Sequence, residues 1–305
     1  MSNSRIIPNL FIAGAPKCGT TALHTYLGQH PQIFMAKVKE NNHFATDLLP
    51  LTDPYRSEAR YSAMFKHAGG KKIVGESSVY YMLSKMAAQN IYRFNPDAKI
   101  IIMLRNPIDL LQSFHAQLLY NGDETILDFA KALEAEEDRR SGKLEIKKGL
   151  RFDERLFYSE IVAFTAQLNR YYALFPRDNI LTIIYDDFKH NTSDIYRDTL
   201  LFLNIDPILL SSFPIINPRK VVRTNHAINQ HARPSPRVLL KKITPEPIRR
   251  YLSPFVRSLA PNRQQNQRYT ELDPMLRRQL QNKYRDEIEK ASILLERDLS
   301  HWCNG

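Results

Sequence analysis

The stretch that decides the fold is Asn9-Leu-Phe-Ile-Ala-Gly-Ala-Pro-Lys-Cys-Gly-Thr-Thr-Ala-Leu-His-Thr-Tyr-Leu27. Its apolar run from Leu10 to Ala13 is typical of a strand that is buried on both faces. A helix follows, and Thr20 or Thr21 has the side chain to cap its N terminus. The stretch therefore predicts a buried strand, a tight loop and a helix, with room for a phosphate where the loop meets the helix.

The loop resembles a phosphate-binding loop with one departure. Gly14 and Gly19 are spaced as in G-x-x-x-x-G-K-[ST], where backbone N–H groups and the helix dipole meet an anion. The lysine expected after the second glycine is missing, because Thr20 stands there and Lys17 lies inside the loop instead. Lys17 would therefore meet the group at the near end of a short bound phosphate chain. The loop fits a triphosphate less well than one with the lysine after its second glycine. An ordinary strand-to-helix turn would use the same residue types, and that alternative stays open here.

Predicted strands and helices continue to alternate to about residue 203. Residues 98–104 are apolar and β-branched, as expected for a central parallel strand, and residues 179–185 form another buried strand. The alternation predicts an α/β protein, a P-loop-like three-layer fold in which a central parallel sheet is flanked by helices. Residues 123–148 are so rich in charge that we expect a charged helix with a solvated face, whereas the apolar spacing over 153–175 predicts a helix packed on the core.

Length and composition favour one globular domain. The chain has 305 residues, of which 43% are hydrophobic, enough to fill a sizeable core. We expect a single domain over residues 1–305, with residues 205–270 as a basic insertion or extension within it. The two cysteines, Cys18 and Cys303, provide neither a disulfide framework nor a metal-ligand cluster. Without a signal peptide or a run of about 18 apolar residues, the chain is expected to be cytoplasmic.

The positive charge is concentrated in one stretch. The formal net charge is +11, and residues 219–268 hold 12 Lys and Arg against one acid, Glu246, so this stretch accounts for all of it. A block this basic indicates an anionic partner, such as nucleotide phosphates, an acidic glycan or a membrane surface. A solvated surface is the simpler interpretation. No nucleic-acid-binding pattern of aromatic and basic residues is evident, so nucleic acid is not an expected partner.

A longer pattern runs through the first 40 residues: Pro16-Lys17-x-Gly19-Thr20-Thr21-x-Leu23, then His30-Pro31, then Lys39-Glu40. It resembles the sulfotransferases that use 3′-phosphoadenosine 5′-phosphosulfate, above all the carbohydrate sulfotransferases related to the heparan sulfate enzymes. The resemblance covers residues 8 to about 205 and 271–302, and is weakest over 205–270. It implies a soluble enzyme of the bacterial type or an excised catalytic domain, whose first loop binds the 5′-phosphosulfate through Lys17, Cys18, Gly19, Thr20, Thr21 and Ala22.

The resemblance also implies residues that act on the acceptor. In similar enzymes a Lys-Glu pair precedes an apolar-aromatic pair, and its glutamate is the general base, a position that Glu40 matches. Lys17 joins it as a catalytic residue. His43 is a third candidate, displaced by one from a histidine of the relatives, because Asn41-Asn42-His43-Phe44 stands where Pro-His-Phe-Phe is common. Glu76, in a segment that lines the active site of similar enzymes, either acts on the acceptor or caps the following helix.

Further polar residues are candidates for a second phosphate. Arg105 leaves the carboxyl end of the 98–104 strand and Ser113 lies two turns into the next helix, so both can face the crevice where α/β sheets bind ligands. Arg-x-Pro followed by this serine resembles the 3′-phosphate site of the family. Arg219 and Lys220 are also candidates, since similar enzymes have near this point a loop that closes over the nucleotide.

The residues and the resemblance together predict an enzyme that moves a sulfuryl group from 3′-phosphoadenosine 5′-phosphosulfate to a hydroxyl or amine, on a carbohydrate or glycoconjugate. No metal is required, because lysine and helix N–H groups supply the positive field. Two alternatives stay open. One is a P-loop kinase that uses ATP and magnesium, with Asp186 or Asp187 as its metal ligand. The other is a non-enzymatic basic module that binds acidic glycan or membrane through residues 219–268.

Overall fold

Parallel strands form the centre of the fold and confirm the predicted fold class. The computed structural model of the chain describes residues 6–216 and 272–304. Its sheet has five strands in the order β2-β3-β1-β4-β5, and every neighbouring pair is parallel. The strands are β1 (Leu10–Gly14), β2 (Ile33–Met35), β3 (Ile73–Ser77), β4 (Lys99–Leu104) and β5 (Ile180–Ile184).

Helices connect these strands and flank the sheet. In the part of the chain that the structure describes they are α1 (Thr20–Leu27), α2 (Glu58–Ala63), α3 (Ala87–Phe94), α4 (Pro107–Asn121), α5 (Phe129–Arg140), α6 (Tyr158–Ile161), α7 (Phe164–Tyr172), α8 (Tyr185–His190), α9 (Thr192–Phe202) and α10 (Pro274–Leu294). Short 3-10 turns cover Pro54–Arg56, Val79–Tyr81, Asp153–Leu156, Arg177–Asn179 and Ser300–Trp302. None of the helices within residues 6–216 and 272–304 is long and apolar enough to cross a membrane.

Two helical segments differ from the prediction. The charged segment 123–148 forms α5 over only part of its length, and α5 has the predicted solvated face, with Glu134, Glu137 and Asp138 exposed. The prediction missed that Glu124 and Arg139 are buried together. Arg139 Nη2 donates to both carboxylate oxygens of Glu124, at 2.7 and 2.8 Å, and each group thereby neutralises the other. The segment 153–175 is a 3-10 turn followed by α6 and α7, not one helix.

The strand order creates a crevice between the carboxyl ends of β1 and β4. The connection from β1 leads to one side of the sheet, towards β2, and the connection from β4 leads to the other, towards β5. Ligands of open α/β sheets bind at such a switch point. The loop after β1 is tied to β4 here, since the Ala15 N–H donates to the Met103 carbonyl at 2.7 Å.

The end of the chain packs beside this crevice. As predicted, Asp273 and Pro274 begin α10, and the Asp273 side chain accepts from the Leu276 N–H at 2.9 Å. Trp302 is buried, its carbonyl accepts from Asn106 Nδ2 at 3.1 Å, and its indole N–H donates to Asp186 at 3.3 Å. The C-terminal turn therefore fixes Asn106, just after β4, and Asp186, just after β5, through these two hydrogen bonds.

Part of the predicted organisation lies outside the described residues. Residues 217–271 contain most of the predicted basic extension, together with Arg219 and Lys220. The domain assignment, the cytoplasmic localisation and the roles of these two residues stay predictions.

Candidate active site

The loop between β1 and α1 has a backbone that requires glycine at two points. Gly14 has a φ of 152°, and a Cβ there would lie 2.5 Å from Met82 Cγ and 2.7 Å from the Val79 carbonyl oxygen. Gly19 has a φ of 87°, and a Cβ there would lie 3.2 Å from the rings of Phe188 and Tyr185. Both positions combine left-handed backbone with close approach of other groups, which only glycine accommodates without strain.

The N terminus of α1 differs from the prediction. Gly19 is the residue before the helix, and no side chain caps it, so the expectation that Thr20 or Thr21 is the cap is wrong. Both threonines are helical residues, and Ala22 donates its N–H to the Gly19 carbonyl at 2.9 Å. The first N–H groups of a helix have no acceptor within the helix, and they carry the positive end of its dipole. The arrangement suits an anion placed at Gly19 and the two threonines.

Lys17 and Cys18 contribute to the loop in different ways. Lys17 adopts a positive φ of 63°, and its Nζ lies 3.4 Å from Gln117 Oε1 on α4. Cys18 is fully buried, and its Sγ donates to the Pro16 carbonyl at 3.3 Å. Burial raises the pKa of the Cys18 thiol to about 12, so that it stays protonated at neutral pH. Lys17 can therefore meet a ligand with its charge, whereas the Cys18 thiol has no nucleophilic character.

Arg105 and Ser113 lie on the other side of the crevice. Arg105 directly follows β4, is almost fully buried, and donates to the Lys17 carbonyl at 3.3 Å. Its guanidinium lies 4.9 Å from the centre of the Tyr185 ring. Ser113 is buried on α4 one turn before Gln117, the residue that Lys17 contacts, so both lie on the same face of the helix. The structure thus brings Arg105 next to the first loop and places Ser113 on the face of α4 that Lys17 contacts.

Glu40 is held beside the carboxyl end of β3. It has a positive φ of 59°, and its backbone N–H donates to the Ser77 carbonyl at 3.0 Å. Its carboxylate Oε2 accepts from the Val79 N–H at 2.9 Å, and its side chain is 35% exposed. A carboxylate that is anchored through one oxygen and open to solvent is placed to accept a proton from a bound molecule.

Val79 links this carboxylate to the phosphate loop. Its N–H donates to Glu40, while its carbonyl oxygen is the atom that approaches Gly14. Two neighbours tighten the contact with β1, since Ser78 N–H donates to the Ile12 carbonyl at 3.1 Å and Met82 N–H donates to the Ala13 carbonyl at 3.0 Å. One rigid turn therefore sets the position of Glu40 relative to the loop that contains Lys17.

Arg151 clamps the Glu40 segment from a distant part of the chain. Its Nη1 donates to the Glu40 carbonyl at 2.8 Å and its Nη2 to the Asn41 carbonyl at 2.9 Å. Its Nε donates to Asp53 at 3.0 Å. Sequence reasoning missed this residue, because nothing in its neighbourhood along the chain indicates a link to Glu40.

Lys39 and His24 are two further polar residues near Glu40 that the sequence did not single out as functional. Lys39 Nζ lies 3.4 Å from Glu40 Oε1, and burial lowers the pKa of this lysine while Glu40 raises it. His24 Nδ1 lies 2.8 Å from Ser77 Oγ. Burial, and then the charge of Lys39, lower the pKa of His24 to about 4, so that its ring is neutral at pH 7. His24 lies one helical turn after Thr20 and therefore on the same face of α1, and this spacing is the feature of the sequence that could have identified it.

Glu76 has neither of the two predicted roles. Its side chain is fully buried and accepts hydrogen bonds from Asn41 Nδ2 at 2.5 Å, Tyr81 OH at 2.7 Å, and Tyr61 OH and Ser78 Oγ, both at 3.1 Å. Burial raises the pKa of Glu76 to about 6, and the four donors oppose that rise. Glu76 is therefore an internal anchor for the segment next to Glu40, out of reach of an acceptor.

His43 lies in an aromatic environment. Its Nδ1 donates to the Tyr55 carbonyl at 2.6 Å, an assignment that follows because a carbonyl oxygen only accepts. Its ring stacks on Tyr61 with 4.1 Å between ring centres and contacts the edge of Phe44. The predicted catalytic role of His43 stays a prediction.

The two aspartates proposed for a kinase both have partners. Asp186 accepts from the Trp302 indole, and Asp187 forms an ion pair with Arg297 at 2.6 Å. Among the residues that the structure describes, no group of three or more His, Cys, Asp or Glu side chains could hold a metal ion.

Comparison with known proteins agrees with this geometry. The sequence profile described as "Sulfotransferase domain" matches residues 8–291. Carbohydrate sulfotransferase 15 of Mus musculus is 24% identical over 84% of this chain and 53% of its own length. Heparan sulfate glucosamine 3-O-sulfotransferase 6 of Homo sapiens is 29% identical over 38% of this chain and 32% of its own length. The chain thus spans about half or less of the length of these two relatives.

A solved structure extends the similarity over the whole fold. The crystal structure of a sulfotransferase from Alicyclobacillus acidocaldarius has a TM-score of 0.71, is 27% identical, and covers 97% of this chain and 99% of its own. The family profile covers nearly the entire sequence, including β1, the loop after it, Glu40 and Arg105. The chain therefore belongs to the sulfotransferase family of transferase enzymes, as the sequence pattern predicted.

Proposed function

We propose that the chain transfers a sulfuryl group from 3′-phosphoadenosine 5′-phosphosulfate to a hydroxyl or amine of a carbohydrate or glycoconjugate. The observation that carries this proposal is the meeting of three features at one edge of the sheet: the loop with Lys17, the buried Arg105, and the anchored carboxylate of Glu40. Two cationic side chains and a helix N terminus suit a donor with two phosphate positions, and the carboxylate suits proton removal from an acceptor.

The donor fits the residues that form the crevice. The glycine at position 19 lets the loop pass close to Phe188 and Tyr185, and the uncapped first turn of α1 leaves N–H groups for an anion. Lys17, Cys18, Gly19, Thr20, Thr21 and Ala22 would hold the 5′-phosphosulfate, the cysteine by its backbone. Arg105 and Ser113 would hold the 3′-phosphate, and we propose Arg219 and Lys220 as further contacts.

The transfer step follows from the positions of the charges. Glu40 accepts the acceptor's proton while the acceptor atom bonds to sulfur and the bond from sulfur to the 5′-phosphate oxygen breaks. The electron pair of that bond stays on the phosphate oxygen, where Lys17 and the N terminus of α1 stabilise the negative charge. These charges belong to the chain itself, and each is fixed before the reaction by the hydrogen bonds described above.

The acceptor class rests on the names of two matched relatives. The names of the matched relatives refer to a carbohydrate and to heparan sulfate glucosamine, which supports a sugar acceptor. We also propose that the basic residues within 219–268 contact an anionic glycan or a membrane surface. This contact should weaken steeply as salt is raised, since salt screens the attraction between opposite charges.

A thermal-shift titration tests the donor. We expect 3′,5′-adenosine bisphosphate to stabilise the folded protein by about 2.7 kcal/mol when its concentration is about 100 times its Kd. ATP with magnesium should have little effect. The reverse result would favour the kinase. A mass-spectrometric assay with desulfated glycosaminoglycan oligosaccharides and a simple phenol then tests the acceptor, and sulfation of the phenol alone would contradict the carbohydrate assignment.

A further inference from the structure

A half-buried tyrosine follows the residue that anchors Glu40. Val79 donates its N–H to the Glu40 carboxylate, and Tyr80 is the next residue of the same 3-10 turn, Val79–Tyr81. The charge of Glu40 also acts on the Tyr80 phenol, so the two side chains are near each other. The donor site and the proton transfer described above give Tyr80 no role. A partly exposed phenol beside the proposed base is nevertheless in a position to meet an acceptor.

Phe152 and Arg155 hold the Tyr80 side chain. The Tyr80 and Phe152 rings meet edge to face, with 4.8 Å between ring centres and an angle of 86° between the rings. Arg155 acts on the phenol both through its charge and as a hydrogen-bond donor. The guanidinium is itself held, since its Nη1 donates to Asp123 at 2.9 Å and its Nε donates to the Phe152 carbonyl at 3.4 Å. The position of the phenol is therefore fixed by the protein before any ligand binds.

The Tyr80 hydroxyl can donate its proton in a hydrogen bond to a ligand. A guanidinium has only N–H donors, so the phenol oxygen is the acceptor in its contact with Arg155, and its own O–H can point to another group. Burial raises the pKa of Tyr80, so the hydroxyl keeps this proton at neutral pH. A hydrogen bond accepted by a hydroxyl also polarises it and strengthens the bond that it donates. Arg155 thus makes the phenol a better donor.

Polar contacts continue from Asp123 towards the donor side of the crevice. Asn121 Nδ2 donates to Asp123 at 3.3 Å, and Gln117 Nε2 donates to Asn121 Oδ1 at 2.9 Å. Gln117 is the residue whose Oε1 lies 3.4 Å from Lys17 Nζ. A chain of contacts therefore begins at the lysine of the first loop and ends at Tyr80. An acceptor that presents its reacting atom to the base while facing the donor would lie beside this tyrosine.

We propose that Tyr80 is an acceptor-binding residue that determines specificity, and that its hydroxyl donates a hydrogen bond to a sugar oxygen next to the reacting hydroxyl. This inference rests on the proposed function. Sugars carry oxygens on adjacent carbons, and a carboxylate with a phenol beside it suits such a pair. Glu40 takes the proton of the reacting hydroxyl, whereas Tyr80 keeps its own proton and takes no part in the bond changes. An acceptor that lacks the second oxygen leaves the phenol without this partner and is selected against.

The test compares a sugar with analogues that each lack one hydroxyl. The acceptors are 4-nitrophenyl glucosaminide and its monodeoxy analogues, assayed with wild type and Tyr80→Phe. In wild type, one analogue that keeps the reacting hydroxyl should lose about tenfold in kcat/KM. In Tyr80→Phe the parent sugar should lose about tenfold, mainly through KM, while that analogue is unchanged, because the same hydrogen bond is absent in both cases.

Two controls accompany these kinetics. Affinity for 3′,5′-adenosine bisphosphate should stay within about twofold of wild type in Tyr80→Phe, since the phenol does not contact the donor. Tyr92→Phe makes the same change at an exposed tyrosine of α3 and should behave as wild type with every acceptor. If Tyr80→Phe does not fold, Arg155→Gln removes the charge beside the phenol and should reduce the discrimination between the parent sugar and that analogue.

Each other outcome decides against the inference. Equal losses for the parent sugar and the analogue in Tyr80→Phe would overturn it, because a residue that only maintains the shape of the site affects both acceptors alike. Unchanged kinetics in the folded variant would overturn it as well. Wild-type protein that binds no bisphosphate would refute the proposed function itself. Bisphosphate binding without sulfation of any of these sugars would refute the role of Tyr80 and leave the donor site standing.

Discussion

Arg151 Nη1 donates to the carbonyl oxygen of Glu40 across 2.8 Å, although the two residues are 111 positions apart in the sequence. The same guanidinium also bonds to the Asn41 carbonyl and to Asp53, so that two of its three contacts hold the segment that presents the proposed base. The position of Glu40 therefore depends on a distant part of the chain.

We expect Arg151→Lys to lower kcat about tenfold while affinity for 3′,5′-adenosine bisphosphate stays unchanged. Lysine has a single charged nitrogen and cannot replace three separate N–H donors, so the Glu40 segment loses its restraint. Steady-state kinetics and bisphosphate binding measure the two effects. Arg60→Lys makes the same change at an exposed arginine and should leave both unaltered. A parallel loss of kcat and bisphosphate affinity in Arg151→Lys would contradict the positioning role.

Glu40→Gln should reduce kcat by about 10²–10⁴-fold, the usual contribution of a general base. The amide oxygen can still accept from the Val79 N–H, so the backbone and the donor site are expected to stay as they are. Bisphosphate titration checks donor binding, and Glu134→Gln on an exposed face of α5 is the control. Full activity in Glu40→Gln would remove Glu40 from the mechanism.

Arg105→Gln should weaken binding of 3′,5′-adenosine bisphosphate by roughly 10- to 100-fold, because a hydrogen bond to a charged group contributes about 1.5–3 kcal/mol. Binding of 5′-adenosine monophosphate, which has no 3′-phosphate, should change much less. Isothermal titration with the two nucleotides gives the comparison. Equal losses for both would mean that Arg105 acts mainly by supporting the Lys17 carbonyl, to which it donates at 3.3 Å.

Glu76 should make the free energy of unfolding depend on pH. Its pKa in the folded protein is raised from 4.5 to about 6, so the folded state binds the proton more tightly than the unfolded state. The resulting stability is present below pH 4.5 and is lost as the pH rises through 6. The difference in stability between wild type and Glu76→Gln should be about 2 kcal/mol larger at pH 4.5 than at pH 7. Urea unfolding at both pH values measures it, and a constant difference would show that Glu76 does not titrate in this range.

Alkylation should distinguish the two cysteines. Cys18 is buried with its pKa raised to about 12, whereas Cys303 is partly exposed. Iodoacetamide at pH 8 should therefore modify only Cys303 in the folded protein and both residues in urea, because the thiolate is the reactive form. Peptide mass spectrometry locates the modification. Rapid labelling of native Cys18 would mean that the phosphate loop opens readily.

The sequence by itself determined the parts of the molecule whose partners are close along the chain. The strand, loop and helix of residues 9–27, the strand that leads to Arg105, and the Asp273 cap are local patterns of apolar residues, glycines and capping side chains. The alternation of these units was enough for the parallel α/β fold, and the loop pattern was enough for the family. Local conformational preference and hydrophobic spacing decide such features, and both can be read from neighbouring residues.

Only the tertiary structure decided what surrounds Glu40. Val79 contacts Glu40 from 39 positions away in the sequence, Arg151 contacts it from 111 positions away, and Glu76 holds the neighbouring Asn41 from 35 positions away. The charged segment 123–148 looked solvated for the same reason, since Glu124 and Arg139 compensate each other only once the chain has folded. Which charges are paired and which are buried depends on long-range packing, and a single sequence carries no local signal of it.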